Sequence, residues 1–168
     1  DKRPDDVAYK AYDAHAREWR DYTFRDVFNE VCRWRHALAG LGLERGARVA
    51  MLLPNCMAAV YFDQAALANA LVPVPLHAID TPKSSAYILS DSGAEVLFTN
   101  KKLKWRQILE AAPDIKLKCV VITDDEDADD PQAAIPVLSL KTFLERTPKE
   151  KLPEGPKPGD LAALVYTS

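Results

Sequence analysis

Glycine is scarce in this chain, 6 residues in 168, alongside 2 methionines and 3 cysteines. No complete Gly-rich phosphate loop, dinucleotide fingerprint or nucleophile elbow occurs anywhere in it. Cys32, Cys56 and Cys119 are odd in number and far apart. That spacing supports neither a disulfide framework nor a zinc site, and it fits reduced core thiols in a cytosolic protein. Charge is nearly balanced, with a net of -3 and a pI near 5.6, so there is no electrostatic footprint for nucleic acid or anionic lipid. No apolar run approaches the roughly 20 residues that span a bilayer. The chain opens at Asp1 with no signal-peptide pattern and no initiator Met, which is expected of a trimmed N-terminus.

What the chain does have is a rhythm. Val49 to Leu53 is an unbroken apolar run ended by Pro54. LVPVPL (71–76) and EVLFT (95–99) are two more, separated by amphipathic segments. Continuous rather than alternating apolar strands are buried on both faces, which requires helices over both sides of a parallel sheet. The fold class is therefore α/β, a largely parallel sheet with helices on both faces. Strands are expected near 48–53, 71–76, 95–99, 118–123 and 161–166.

Residues 1–22, with Trp19 and Tyr22, read as a partly ordered lead-in. Thr23 and Asp26 form a capping-box pattern. Phe24, Val27, Phe28, Val31, Trp34, Leu38 and Leu41 then mark one helix face, read as core packing, which Gly40 and Gly42 stop. Asn55 is the expected N-cap of the next helix, with Met57, Val60, Tyr61, Gln64, Leu67 and Leu71 on its buried side. Pro73 and Pro75 remove two N–H groups from one edge of their strand. It can donate fully along only its other edge, so it belongs at a sheet margin or beside a partner that covers only its start. Thr81-Pro82 opens a further helix and Gly93 closes it.

KKLKWRQILEAA (101–112) is a basic amphipathic helix with Leu103, Ile108 and Leu109 as apolar anchors. Packing on the sheet is favoured over peripheral membrane contact, because the apolar face is short. Asp124 to Asp130 holds six acids in seven residues. It lacks the glycine and terminal Glu of an EF-hand loop, and a solvated, mobile loop is expected. Residues 138–146 read as a short helix capped by Ser139. Residues 147–160, with four prolines and two glycines, read as an extended connector without a core. Three parts follow: an α/β unit at 1–146, the connector at 147–160, and a last strand at 161–168. His15, His36 and His77 are scattered, and none stands at ligand spacing from a Cys or carboxylate. His77 follows the proline strand and is expected at the surface, with the cleft at the strand's end as the alternative.

Several pieces in fixed order carry a resemblance. They are Tyr22-Thr23-Phe24, Leu38-Ala39-Gly40-Leu41-Gly42 with Gly46, Arg48-Val49 to Pro54-Asn55, and Val72-Pro73-Val74-Pro75-Leu76. Ala86-Tyr87-Ile88-Leu89 with Asp91-Ser92-Gly93-Ala94 follows, and Gly159-Asp160-Leu161-Ala162 runs into Tyr166-Thr167-Ser168. Together they resemble the N-terminal part of the adenylate-forming (AMP-binding) superfamily. TPKSSAYILSDSGAEVLF looks most like its long-chain fatty-acid–CoA ligases. One departure is visible: the family usually has Ala-Gly where this chain has Asn69-Ala70 before Leu71, which removes a tight backbone contact.

The resemblance implies a ligase that uses ATP, Mg²⁺ and coenzyme A. A carboxylate attacks the α-phosphorus of ATP to give an acyl-adenylate and pyrophosphate, and a thiol then displaces AMP. Tyr166, Thr167 and Ser168 would open its phosphate-binding loop, with Thr167 and Ser168 offering hydroxyls to the phosphates. No catalytic or metal-binding residue falls within this stretch, and the 168-residue chain alone is expected to fold without forming an adenylate. Implied partners are a carboxylic acid, ATP and CoA, in the cytoplasm, with oligomerisation open. Two rivals stand beside this reading. One is a stand-alone binding or oligomerisation module without catalysis, which the residues following Ser168 would separate from a ligase. The other is an unrelated doubly wound nucleotide-binding protein. That rival needs a glycine after the first strand, where the chain has Leu53-Pro54-Asn55-Cys56.

Overall fold

The computed structural model describes residues 3–13, 16–148 and 151–167. Its centre is a five-stranded sheet built from β3 (Arg48–Leu52), β4 (Val72–Pro75), β5 (Val96–Thr99), β6 (Cys119–Ile122) and β7 (Val137–Ser139). The spatial order is β4-β3-β5-β6-β7, and every neighbouring pair is parallel. The helices are α1 (Phe24–Ala39), α2 (Met57–Ala68), α3 (Pro82–Ser92), α4 (Lys102–Ala111) and α5 (Leu140–Leu144). Successive residues of each strand feed opposite cores. Leu97, Val120 and Ile122 join Leu89, Trp105 and Ile108 on the α3–α4 side. Val96, Phe98 and Val121 join Trp34, Leu38, Phe62 and Phe143 on the side of α1, α2 and α5. Phe98 is the hub there, its ring centroid 4.7 Å from Phe62, 5.0 Å from Phe143 and 5.9 Å from Trp34. Among the described residues no helix is long and apolar enough to cross a membrane.

Local signals fixed most helix ends. Thr23 and Asp26 exchange both hydrogen bonds of a capping box, Thr81 and Ser139 cap α3 and α5, and Gly93 closes α3 at φ +64°. The proline strand is the sheet margin. Val72 and Leu76 donate their N–H groups to Ala47 and Met51 on the β3 side, which leaves Pro73 and Pro75 to present a donorless outer edge.

That edge explains the main correction. Residues 161–166 are not a strand. Leu164 donates to the Pro73 carbonyl at 3.0 Å, but β4 has no N–H to return, so a ladder cannot propagate. The fifth parallel strand is β7 instead, which takes Leu138 and Ser139 from the expected helix and shortens it to Leu140–Leu144.

Further differences have equally local causes. The lead-in is an antiparallel hairpin of β1 (Val7–Asp13) and β2 (Glu18–Thr23), with Tyr12 and Trp19 in edge contact at 5.7 Å. Only the second half of the α1 stripe is core. Trp34 and Leu38 are buried, whereas Phe24 and Phe28 are exposed and line an open groove with Tyr9 and Gln64. On α2 the buried side is Phe62, Ala65 and Ala66. The expected Met57, Val60, Tyr61 and Leu67 are half-buried, Gln64 is exposed, and only Leu71, beyond the helix, is buried. The N-cap of α2 is Cys56 rather than Asn55, and no side chain completes the cap. On α4, Trp105 and Ile108 are the buried anchors, while Leu103 is exposed.

The acidic loop is organised rather than merely solvated. Asp125 accepts the Lys102 N–H at 2.8 Å at the start of α4. Asp129 accepts the Ser139 N–H at 2.8 Å, the Ser139 hydroxyl at 3.0 Å and the Thr142 hydroxyl at 2.8 Å. Ala128 between them is fully buried. All six acids remain exposed or half-buried, but Asp125 and Asp129 also act as caps and struts.

Candidate functional site

Tyr166 and Thr167, two of the expected site residues, end the described chain, and the position of Tyr166 is set by point contacts. The described residues 151–160 are exposed or half-buried, and arginines hold them. Arg35 donates to the Pro153 carbonyl at 2.9 Å. Arg45 donates to the Gly155 carbonyl at 3.2 Å and pairs with the Asp160 carboxylate. Asp160 also accepts the Lys157 N–H at 2.6 Å in a tight turn that needs Gly159 at φ +98°. That backbone N–H, with Arg45 beside it, holds the Asp160 carboxyl below the usual carboxylate range.

Beyond Asp160 the chain crosses the margin of the sheet. Leu164 and Tyr166 turn inward against the α3–α4 core, while Leu161 and Val165 face out. Tyr166 donates its phenol hydrogen to Asp91 Oδ2 at 2.6 Å. The bond to that carboxylate, with some burial, pushes the phenol up to about 12. Thr167 follows and is exposed. Ser168, the third expected site residue, lies outside the described residues.

Tyr166 and Thr167 are thus brought together, with Asp91 beside them. Asp91 was legible only as part of a motif; its role as acceptor is a tertiary contact that no sequence period marks. His77 is at the surface, and its N–H donates to Asp80 at 3.0 Å. Cys119 is buried, and burial pushes its thiol up to about 11, so it is a core residue rather than a nucleophile. Among the described residues no group of three or more His, Cys, Asp or Glu converges on a metal-sized site.

The departure at Asn69-Ala70 is structurally plain. Ala70 occupies the position after the α2 C-cap at φ +54°, and Leu71 and Ala70 donate to Ala66 and Leu67 at 3.0 and 2.8 Å. This is the left-handed helix ending that glycine normally occupies. Asn69, almost fully buried, donates to the Arg35 carbonyl at 2.9 Å and ties the end of α2 to α1.

A five-stranded parallel sheet with a helix-covered core on each face defines the class, an α/β unit. Residues 1–168 match the family described as AMP-binding enzyme, and the chain belongs to that family. It is 31% identical over 140 residues to fatty acyl-CoA synthetase A of Dictyostelium discoideum, covering 79% of this chain and 20% of that protein. It is 29% identical over 159 residues to long chain acyl-CoA synthetase 1 of Arabidopsis thaliana, covering 87% and 23%. In fold it is similar to an acyl-CoA synthetase of Brucella canis, at a TM-score of 0.79 and 23% identity over 97% of this chain and 29% of that one. It is likewise similar to the anthranilate CoA ligase AuaEII in complex with anthranoyl-AMP, at a TM-score of 0.78 and 23% identity, covering 99% and 30%. The chain therefore spans about a fifth of the length of the curated relatives it matches.

Proposed function

We propose that this chain is the N-terminal part of an ATP-dependent acyl-CoA ligase that activates a long-chain fatty acid as its acyl-adenylate and transfers it to coenzyme A. The observation that carries the reading is the anchoring of Tyr166-Thr167 at the sheet margin in a chain of the AMP-binding family. Fatty acyl-CoA and long chain acyl-CoA synthetases among the relatives support the substrate class.

The residues present fit one corner of a phosphate site. The Thr167 hydroxyl, and that of Ser168 after it, would donate to phosphate oxygens, and Tyr166 fixes the direction of approach. Mg-ATP supplies the electrophilic α-phosphorus when bound. Among the described residues no group of three or more His, Cys, Asp or Glu is placed to hold Mg²⁺. Orienting the nucleotide is this unit's share of the work, because phosphoryl chemistry depends on alignment and charge neutralisation more than on protein nucleophiles. The 168-residue chain alone forms no adenylate in this reading. Its place is the cytoplasm and fatty-acid metabolism.

Carboxylate-dependent exchange of pyrophosphate into ATP tests the reading. The longer protein that contains this chain exchanges with palmitate-like acids best, and the 168-residue chain alone does not exchange. Exchange without any acid overturns the ligase reading, and acetate or amino acids outperforming long-chain acids overturns the substrate class alone.

A further inference from the structure

We propose that Asp91 is a positioning residue for the phosphate-binding loop that Tyr166-Thr167 opens, acting through the phenol of Tyr166. The proposal rests on the ligase reading and goes beyond it by assigning a residue 75 positions upstream of the loop a role in ATP alignment.

The sheet cannot hold this segment by a ladder of backbone hydrogen bonds. A strand leading into a loop is normally held by a ladder on at least one side. Here the neighbouring edge belongs to β4, whose Pro73 and Pro75 lack N–H groups, and it returns a single bond, Leu164 N–H to Pro73 O at 3.0 Å. One bond at residue 164 leaves the residues after it free to pivot. The next fixed point is the Tyr166 hydroxyl on Asp91 Oδ2 at 2.6 Å, one residue before Thr167.

The Asp91 side chain is exposed, but helix α3 holds its backbone in place. It lies in the last turn of α3, between Leu89, 1% exposed, and Ser92, 6% exposed, and just before the left-handed stop at Gly93. The bond joins an ionised acceptor to a neutral donor, the stronger class of hydrogen bond. That bond, with some burial, pushes the phenol up to about 12, further from losing the hydrogen it donates. Asp91 itself touches no reacting atom in this arrangement; it fixes the residue that precedes the loop.

Asp91→Ala, Asp91→Asn, Tyr166→Phe and the Asp91→Ala/Tyr166→Phe double variant, made in the longer ligase, test the proposal. Asp91→Ala and Tyr166→Phe each raise the KM for ATP about tenfold and leave the KM for the carboxylic acid unchanged, as expected where alignment of one substrate is loosened. The double variant is no worse than the poorer single one, because both remove the same tether. Asp91→Asn, whose amide oxygen still accepts the phenol hydrogen, stays within about threefold of the unmutated enzyme, a neutral acceptor being the weaker one. In hydrogen exchange, the Leu164 amide loses protection in Asp91→Ala. An ATP KM unchanged in Asp91→Ala, multiplicative losses in the double variant, or a Leu164 amide as protected as before each overturns the proposal while leaving the ligase reading intact. Should Asp91→Ala fail to fold, Tyr166→Phe carries the same test from the other side of the bond. No carboxylate-dependent exchange in the unmutated protein overturns the ligase reading, and the loop-positioning role with it.

Discussion

Asp129→Ala separates an organised acidic loop from a merely solvated one. The side chain accepts three hydrogen bonds, and two of them come from Ser139, which is 2% exposed and joins β7 to α5. Removing the acceptor leaves the Ser139 N–H without its partner at a helix start, where four amide groups already lack intrahelical acceptors. Bonds to a charged acceptor contribute about 1.5–3 kcal/mol, and an orphaned buried donor costs about 1–3 kcal/mol. Asp129 is itself exposed, so water replaces part of what is lost, and the loss expected is about 2 kcal/mol. For a chain of this size that lowers Tm by roughly 4–8 °C. Asp127→Ala, at an exposed site five positions after the end of β6 and ten before the start of β7, changes stability by less than about 0.5 kcal/mol.

The pH dependence has a definite sign. Burial pushes the Asp129 carboxyl up, but the Ser139 N–H and the Ser139 and Thr142 hydroxyls outweigh it, and the net direction is down. A carboxyl depressed in the folded state binds its proton more readily when unfolded. Its contribution is therefore complete above the ordinary carboxylate range and disappears as pH falls through the depressed folded value. Urea melts of Asp129→Ala and the unmutated chain should differ by a constant amount from neutral pH down to about 5, then converge in more acid solution. Near-UV circular dichroism follows the transition through the aromatic core. A cost below about 0.5 kcal/mol, or an equal cost for Asp127→Ala, would refute the reasoning and restore the solvated loop.

Two further outcomes are expected of the fold. At Ala70, φ +54° costs an L-residue about 1–2 kcal/mol. Glycine would relieve it but forfeit about 0.8 kcal/mol of methyl burial and about 0.4–1 kcal/mol through the freer unfolded chain. Ala70→Gly is thus within about 1 kcal/mol of the unmutated protein in chemical denaturation, whereas β-branched Ala70→Val is destabilised by about 2 kcal/mol or more. Of the three thiols, Cys119 resists an aromatic disulfide reagent at pH 8 until the protein is unfolded, because burial holds its thiol near 11. Its reaction at the rate of partly exposed Cys32 or Cys56 would show an open core.

The sheet and most helix ends were legible because local chemistry decides them. Val49–Leu53 and Cys119–Ile122 need burial on both faces, and Thr23, Thr81, Gly93 and Ser139 each act within four residues of themselves. The buried face of α2 was not legible. Met57, Val60, Tyr61, Phe62, Ala65, Ala66 and Leu67 make the helix apolar nearly all round, and tertiary placement beside α1 selects the side. The hairpin was missed because β1 and β2 carry Lys10, Asp13, Glu18, Arg20 and Asp21 among their aromatics and bury little. Leu161 to Tyr166 has the composition of a buried strand, and the prolines that deny it a ladder lie some 90 residues earlier, at Pro73 and Pro75. Of the candidate site, Tyr166 and Thr167 were legible from their motif, while the partner that fixes them, Asp91, was not legible as a partner.

The donorless edge of β4 and the pinned Tyr166 belong together. An exposed edge with unpaired donors and acceptors would invite a foreign strand, and proline at the margin reduces that hazard. It also denies the chain's own last segment a ladder, so order there depends on side chains. Arg35 and Arg45 hold the connector at Pro153, Gly155 and Asp160, but the Arg45–Asp160 pair is partly exposed, and such pairs contribute little individually. Leu164 and Tyr166 add apolar contact with the α3–α4 core. Among these contacts the Tyr166–Asp91 bond is nearest Thr167, and leverage falls with each rotatable backbone pair in between. Two soft dihedrals separate residue 166 from residue 167, against six from residue 164. In the proposed arrangement the approach to Thr167 is therefore set more by the bond to Asp91 than by the sheet edge.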